Sequence, residues 1–287
     1  MPARTESNMF IDVLDAAIAD IGSPVCVGLD PVLESIPPQV RELSPHAPDA
    51  LRRFSVGVLE AVAGVVPAVK FQSACYERYG SAGVAVLEEC MLLARRLGLV
   101  VVLDAKRGDI GISAHHYAAS AAAAQAHAIT VSGYLGGSGI EPFLGAGLGV
   151  FVLVRTSNPD SDAVQSKRLQ SGESVAEMMG ELVATLGSSH VGLCGLSNVG
   201  AVVGATKSND GSALRERMPQ QVFLVPGYGA QGGSASDIRP LLRPDGRGVL
   251  VTASRSVIYA APINHDWRAG IHDAAERMAA EIRAAVA

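Results

Sequence analysis

The sequence predicts an α/β fold, a single (β/α)8 TIM barrel that spans residues 1–287. Three observations predict this fold. Short apolar runs recur eight times along the chain, a polar or glycine-bearing turn follows each run, and helical stretches such as VAVLEECMLLARRLG separate the runs. Their continuous hydrophobicity is typical of parallel strands that are buried on both faces. An open, doubly wound sheet is the structural alternative.

The predicted strands follow one another at the spacing of single strand–helix repeats, which leaves no room for a separate domain. A proline-rich insertion, residues 31–48, is expected to form a loop or a short helix after the first strand. In chain order, the predicted strands are PVCVGLD (24–30), VVPAVKF (65–71), LVVVLDAK (99–106), AITVSGY (128–134), GVFVLVRT (149–156), HVGLCGLS (190–197), VFLVPGYG (222–229) and GVLVTASR (248–255).

The composition excludes several classes of protein. Apolar residues make up 48% of the 287 residues and charged residues 18%, which is enough for a large packed core. The net charge is −5 and no basic run exceeds two residues, so no nucleic-acid surface is expected. The sequence has no signal-peptide pattern and no stretch long enough to span a membrane, which predicts a cytoplasmic protein. Neither a zinc site nor a disulfide framework is expected from the cysteines, which are Cys26, Cys75, Cys90 and Cys194.

Charged residues lie at or just beyond the ends of the predicted strands, where the reactive residues of a barrel belong. An ion in an apolar run is costly unless it is paired, so these residues should have partners. They are Asp30, Lys70, Asp104, Lys106 and Arg255.

The strongest local pattern is Asp104-Ala-Lys106-Arg-Gly-Asp109. Strand alternation places Asp104 and Lys106 on the same face, where both point into the barrel mouth. Nearby carboxylates favour the ammonium form of a lysine, which can stabilise a developing carbanion and then protonate it. Alone, the pattern would equally fit a structural salt bridge at the rim of a barrel. No His, Asp and Glu spacing supports a metal site.

DAKRGDIG resembles the D-x-K-x-x-D signature of the orotidine 5'-phosphate decarboxylase family. Keto-gulonate phosphate decarboxylases and hexulose phosphate synthases carry it as well, so other segments must distinguish these families. The resemblance to the longer bacterial branch of the decarboxylases covers residues 24–260, and Asp160 departs from the glycine that many members have there. The segments that carry it are VGLD, AVKFQSACYERYG, VRTSNPDS, PGYGAQGG and ASRSVIYA.

The resemblance implies a role for each residue that these segments supply. It implies that Asp30 and Lys70 contact the substrate ribose, and that Lys70 joins an alternating chain of lysines and aspartates. It implies that Ser157 addresses the pyrimidine ring, that Gln231 reaches over the ring and phosphate, and that Arg255 binds the phosphate. Without the family, Asp30 and Ser157 would fit ordinary turns, and Lys70 and Arg255 would fit charges at the rim or surface.

The expected reaction is the decarboxylation of orotidine 5'-phosphate to UMP in pyrimidine biosynthesis, without a cofactor. The catalytic residues would be Lys106, Asp104, Asp109 and Lys70. The resemblance also implies a homodimer with shared active sites, in which Asp109 enters the partner's site. Two alternatives remain, a metal-dependent sugar-phosphate decarboxylase or aldolase on the same barrel and a non-catalytic nucleotide-binding barrel.

Overall fold

Eight strands in the part of the chain that the structure describes form one closed parallel barrel, which confirms the predicted fold class and excludes the open sheet. The computed structural model describes residues 9–229, 232–260 and 266–286. Each strand pairs with the next along the chain, and β8 pairs with β1 to close the barrel. The strands are β1 (Val25–Leu29), β2 (Ala68–Gln72), β3 (Val100–Arg107), β4 (Ala128–Val131), β5 (Gly149–Arg155), β6 (Ser197–Val203), β7 (Gln221–Val225) and β8 (Val249–Ala253).

Helices precede and connect the strands. The insertion 31–48 forms a 3-10 turn, a short helix and the start of a longer one, as expected for this segment. No helix in the described part of the chain is both long and apolar enough to cross a bilayer. The α-helices there are α1 (Phe10–Ile21), α2 (Pro38–Glu42), α3 (Ala47–Val62), α4 (Ser73–Glu77), α5 (Gly80–Arg96), α6 (Gly111–Ala123), α7 (Glu141–Gly145), α8 (Asp162–Gln165), α9 (Val175–Gly187), α10 (Gly211–Arg217), α11 (Ala235–Ile238), α12 (Arg255–Ile258) and α13 (Trp267–Val286).

The core has two layers because alternate residues of each strand face opposite sides of the barrel wall. In β1, Val25 and Val27 pack against the surrounding helices, whereas Cys26 packs inside the barrel. Helix α1 covers one end of the interior, where the ring of Phe10 meets Phe151 edge-on at 5.7 Å. This end carries the amino termini of the strands, so the opposite end, formed by their carboxyl termini, is the one left for a binding site.

The sixth strand is the element that the sequence interpretation placed wrongly. Residues 190–196 of the predicted segment 190–197 form a loop, and the strand is Ser197–Val203, in which every residue is buried. In the loop, Leu193 is 73% exposed, Gly195 has φ +78°, and Cys194 is only partly buried. Both segments are apolar and contain glycine, so hydrophobicity alone could not distinguish the strand from the loop that precedes it.

Candidate active site

A cavity of about 610 Å³ opens at the carboxyl ends of the strands. Its walls combine charged groups with apolar residues of the barrel interior, such as Leu153, Val202 and Leu224. This is where ligand sites of barrel enzymes lie. Six of the residues singled out from the sequence line the cavity together, namely Asp30, Lys70, Asp104, Lys106, Ser157 and Arg255.

Four of these residues form an alternating chain of acids and bases. Lys70 Nζ lies 3.5 Å from Asp30 Oδ1 and 2.8 Å from Asp104 Oδ2. Lys106 Nζ lies 2.6 Å from Asp104 Oδ1. The side chains of Lys70 and Asp104 are 6% and 9% exposed, whereas that of Lys106 is 46% exposed. Lys70 is therefore held between two carboxylates, and Lys106 is the ammonium group that reaches the open part of the cavity.

The ion pairs of this alternating series fix the charge states of its two buried side chains, Lys70 and Asp104. Burial works to raise the pKa of Asp104, but Lys70 and Lys106 outweigh burial and lower this pKa to about 2. Burial likewise works to lower the pKa of Lys70, and the carboxylates of Asp30 and Asp104 outweigh it, so this pKa is raised. The site thus contains a buried carboxylate that stays ionised near neutral pH and a buried ammonium group beside it.

An irregularity in β3 brings Asp104 and Lys106 to the cavity. The pairing of β3 with β4 shifts between Leu103 and Arg107, and Lys106 has φ +47°, in the left-handed region that non-glycine residues rarely adopt. Period-two alternation predicts the shared face of Asp104 and Lys106, and the 2.6 Å contact between their side chains confirms it. The left-handed backbone is a feature that the alternation does not predict.

The loop after β5 carries Ser157 and is fixed from several sides. The side-chain amide of Gln165 accepts the main-chain N–H of Thr156 at 2.8 Å and donates to its hydroxyl at 2.9 Å. A Cβ on Gly204 would lie 2.8 Å from Ser157 Cβ, so the absence of a side chain at position 204 lets β6 approach this loop closely. The loop therefore holds Ser157 at the cavity wall.

A buried arginine anchors the base of the same loop. Arg155 forms ion pairs with Asp210 at 2.6 Å and with Asp162 at 2.5 Å, and it donates to Ser161 Oγ at 3.1 Å. Lys207 reaches the same oxygen of Asp162 at 2.8 Å. These contacts join the loops after β5 and β6. The sequence interpretation did not single out any residue of this network.

The sequence interpretation also missed two polar residues that hydrogen-bond to Asp104, namely Thr130 and Gln72. The hydroxyl of Thr130 in β4 donates to Asp104 Oδ1 at 2.9 Å, and the side-chain amide of Gln72 donates to Asp104 Oδ2 at 3.3 Å. Both lie at the carboxyl ends of their strands and line the cavity. A polar residue at the end of an apolar run was the available signal, but the interpretation applied it to charged residues alone.

The remaining predicted residues are placed as follows. Arg255 begins α12, and Gly227, with φ +97°, lines the cavity beside it. Gln231 lies outside the described residues. Asp109 follows β3, accepts the main-chain N–H of Ile110 at 2.9 Å, and is not among the described residues that line the cavity. The structure therefore does not bring Asp109 together with the other predicted residues in the cavity of its own chain.

The cavity combines a half-exposed ammonium group, which can donate a proton, with a buried carboxylate. Lys106 can place a positive charge, and then a proton, on a reacting atom, and Asp104 holds that ammonium group in position. Arg255 offers a planar guanidinium fork that fits phosphate oxygens. Within residues 9–229, 232–260 and 266–286, no group of three or more His, Cys, Asp or Glu is arranged to hold a metal ion.

Comparisons with known proteins identify the family to which this barrel is similar. Residues 23–269 match the family described as Orotidine 5'-phosphate decarboxylase / HUMPS family. The orotidine 5'-phosphate decarboxylase of Rhodopirellula baltica is 41% identical over 268 residues, which are 88% of this chain and 88% of that protein. The Salinispora tropica enzyme of the same name is 40% identical over 276 residues, 92% of this chain and 93% of that one. The solved structure of Leishmania donovani OMP decarboxylase has a TM-score of 0.81 at 32% identity and covers 97% of this chain and 98% of its own.

Proposed function

The chain belongs to the orotidine 5'-phosphate decarboxylase / HUMPS family, and from this premise we propose that it decarboxylates orotidine 5'-phosphate to UMP with Lys106 as the central catalytic group. It is a carboxy-lyase. The observation that carries the proposal is the ammonium group of Lys106, which lies 2.6 Å from the buried carboxylate of Asp104 at the open part of the cavity. The reaction belongs to pyrimidine biosynthesis.

The proposed chemistry begins with the departure of carbon dioxide from C6 of the pyrimidine ring. The C6–carboxylate bond breaks and its electron pair stays on C6, in the plane of the ring, where the π-system cannot delocalise it. A fixed positive charge must therefore stabilise the carbanion. Lys106 supplies this charge and then gives one proton to C6, which leaves a neutral amine that solvent reprotonates.

Asp104 and Lys70 prepare the site for this step. Because Asp104 binds Lys70 through one oxygen and Lys106 through the other, it keeps the two ammonium groups apart and oriented. Its buried negative charge also lies beside the position proposed for the substrate carboxylate. The larger contribution comes from preorganisation, because the charges are already in place before the reaction begins.

The other cavity residues bind the parts of the substrate that do not react. Asp30 and Lys70 hydrogen-bond the ribose, and Ser157 addresses the pyrimidine. Gln231 reaches over the ring and phosphate, and Arg255 binds the phosphate. The position of Arg255 after β8 supports its role, because the loops after the last two strands of barrels often bind phosphate. Binding energy from the phosphate, which lies far from C6, helps to order the reacting groups.

The active enzyme is proposed to be a homodimer in which Asp109 completes the partner's site. The placement of Asp109 outside the lining of its own cavity supports this arrangement. So do two exposed apolar side chains that follow it in sequence, Ile110 and Ile112. In such a dimer, Asp109 would extend the chain of alternating charges beyond Lys106. The cytoplasmic location stays a prediction.

One experiment separates this proposal from its two alternatives. Purified protein is assayed for release of carbon dioxide from orotidine 5'-phosphate in the presence of a metal chelator. We expect turnover, because the proposed mechanism uses only side chains of the protein. A sugar-phosphate enzyme that depends on a metal would be inactive on this substrate, and a non-catalytic barrel would bind it without turnover. Either result would contradict the proposal.

A further inference from the structure

Thr130 occupies an unusual position opposite the catalytic segment of β3. Leu103 pairs with Ile129 and Arg107 pairs with Val131. Three residues of β3, 104 to 106, therefore lie opposite Thr130 alone. Thr130 is only 1% exposed, and it lines the cavity. A bulge of this kind re-aims the side chains of the longer strand, and here these include Asp104 and Lys106.

The hydroxyl of Thr130 bonds to both of these residues. It accepts the main-chain N–H of Lys106 at 3.0 Å and donates its own hydrogen to Asp104 Oδ1 at 2.9 Å. A threonine hydroxyl has one hydrogen to donate, so its donor capacity is fully used here. One buried group thus fixes the backbone of the lysine and the carboxylate that holds its ammonium group.

The backbone of Lys106 needs such a restraint. A non-glycine residue at φ +47° is strained, and strain of this kind persists where the surrounding structure over-determines the conformation. The hydrogen bond from the Lys106 N–H to Thr130 acts directly on this peptide. Without it, the backbone could relax towards negative φ and carry the Lys106 side chain away from its present direction.

The carboxylate of Asp104 depends on the same hydroxyl. Asp104 Oδ1 is shared by Lys106 Nζ at 2.6 Å and Thr130 Oγ1 at 2.9 Å. The other oxygen, Oδ2, receives Lys70 at 2.8 Å and Gln72 at 3.3 Å. Without the hydroxyl of Thr130, Lys106 would be the one remaining partner of Oδ1 among these groups. The Asp104 carboxylate could then rotate about its bond to Cβ.

We propose that Thr130 is a positioning residue for catalysis, which sets the direction of the Lys106 ammonium group through the backbone of Lys106 and through Asp104. This inference rests on the proposed function of Lys106. The one hydrogen of the Thr130 hydroxyl goes to Asp104, so the residue acts on the reacting groups and has no hydrogen left to donate to a substrate. Its loss should therefore lower kcat and leave KM nearly unchanged.

The test compares Thr130→Val, which removes the hydroxyl and keeps the β-branched shape, with Thr130→Ser, which keeps the hydroxyl. We expect kcat of the valine variant to fall about 10- to 100-fold, as for the loss of a hydrogen bond to a charged group, with KM changed less than about threefold. The serine variant should recover most of kcat. A valine variant with wild-type kcat, or a serine variant as slow as the valine variant, would overturn the proposal.

Ser197→Ala is a matched control. Ser197 is also buried, and its hydroxyl donates to the carbonyl of Gly187 at 3.0 Å and accepts the N–H of Val199 at 3.1 Å, but it begins β6 and does not line the cavity. Its loss should lower thermal stability and leave kcat per folded molecule unchanged. If the activities of Thr130→Val and Ser197→Ala both fall only in proportion to the loss of folded protein, Thr130 has a structural role alone and the proposal is wrong.

A crystal structure of the Thr130→Val variant separates this proposal from that of the catalytic lysine. We expect φ of Lys106 to leave the left-handed region and its Nζ to move away from Asp104 Oδ1. An unchanged φ and an unchanged contact would overturn the positioning role, whatever the reaction. If Lys106→Ala retains kcat while the backbone relaxes as expected, the catalytic role of Lys106 fails and the structural effect of Thr130 stands.

Discussion

Lys106 and Lys70 have the same functional group in the same cavity, but their surroundings differ, and so do the roles proposed for them. Lys70 is buried between two carboxylates, and the attraction of these carboxylates raises its pKa. Such a group is a fixed positive charge and a poor proton donor. Lys106 touches one carboxylate and is about half-exposed, so its ammonium group is accessible from the cavity. This difference is the reason that the proton transfer is proposed for Lys106 and not for Lys70.

Replacing Lys106 by alanine should lower kcat by several orders of magnitude, because the variant loses both the charge that stabilises the carbanion and the proton donor. The measurement is steady-state release of carbon dioxide from orotidine 5'-phosphate. Lys167→Ala is the matched control, since Lys167 is exposed and does not line the cavity. Retention of a tenth of the wild-type kcat in the Lys106 variant would remove this residue from the mechanism.

Replacing Arg255 by alanine should weaken the handling of the phosphorylated substrate by about 1.5–3 kcal/mol, the value of a charge-assisted hydrogen bond. The comparison is kcat/KM for orotidine 5'-phosphate and for orotidine, which lacks the phosphate and should react slowly in both proteins. Arg96→Ala, at an exposed position of α5, is the control. Equal losses on both substrates would show that Arg255 does not bind the phosphate.

At the scale of elements, the junction between β3 and β4 is held differently at its two ends. At the cavity end, the register shift places Thr130 opposite three residues of β3. At the other end, His127 precedes β4, and its ring Nδ1 accepts the main-chain N–H of Val101 at 2.9 Å. This bond requires a neutral ring, because a protonated imidazole has no acceptor. Burial, with a smaller effect from Arg95, lowers the pKa of His127 from 6.5 to about 4.

The pKa of His127 predicts a loss of stability in acid. Since the folded-state pKa lies below the value of an unfolded chain, the stabilisation is complete above pH 6.5 and is lost as the pH falls from 6.5 to 4. Denaturant unfolding across this range measures it. In His127→Asn, which cannot titrate, the free energy of unfolding should fall less over the same range. His116→Asn, at an exposed position, should behave like the wild type, and an unchanged pH dependence in the His127 variant would contradict the assignment.

At the scale of the whole molecule, apolar side chains are exposed near the segment that carries Asp109. Tyr134 is 87% exposed, and Ile110, Ile112 and Leu135 are exposed as well. The loop after β3 and the loop after β4 meet here, because a Cβ on Gly139 would lie 3.0 Å from the carbonyl oxygen of Asp109. Large exposed apolar side chains in a group are typical of an interaction surface. This supports the proposal that a second copy of the chain covers the surface.

A shared active site predicts complementation between inactive variants. Lys106→Ala and Asp109→Ala should each be nearly inactive alone. In a mixed dimer, one site takes Lys106 from the Asp109→Ala chain and Asp109 from the Lys106→Ala chain, so this site is wild type. The other site carries both changes. Random reassortment makes about half of the dimers mixed, so about a quarter of the wild-type activity should return after co-refolding equal amounts.

A second mixture provides the control for complementation. Asp104 and Lys106 contact each other within one chain, so a mixed dimer of Asp104→Asn and Lys106→Ala has no intact site. This mixture should stay inactive. If the Lys106 and Asp109 variants form mixed dimers and regain no activity, Asp109 serves its own subunit and the shared site is wrong.

The sequence by itself determined the fold class, seven of the strands to within a few residues, and the charged residues that line the cavity. Continuous apolar runs indicate strands that are buried on both faces. A charged residue at the end of such a run is costly to bury without a partner, so it indicates a functional site. Period-two alternation also predicted that Asp104 and Lys106 share a face. All of these are local properties, which neighbouring residues along the chain are sufficient to reveal.

Only the tertiary structure decided which apolar segment forms β6, where β3 departs from its register, and that Thr130 holds both Asp104 and Lys106. Ser197–Val203 and the loop before it are similarly apolar, and pairing with β5 and β7 selects between them. The partners of the Thr130 hydroxyl likewise depend on the bulge opposite it. These features could not be predicted from the local sequence pattern, because each depends on the pairing of strands that are distant in sequence.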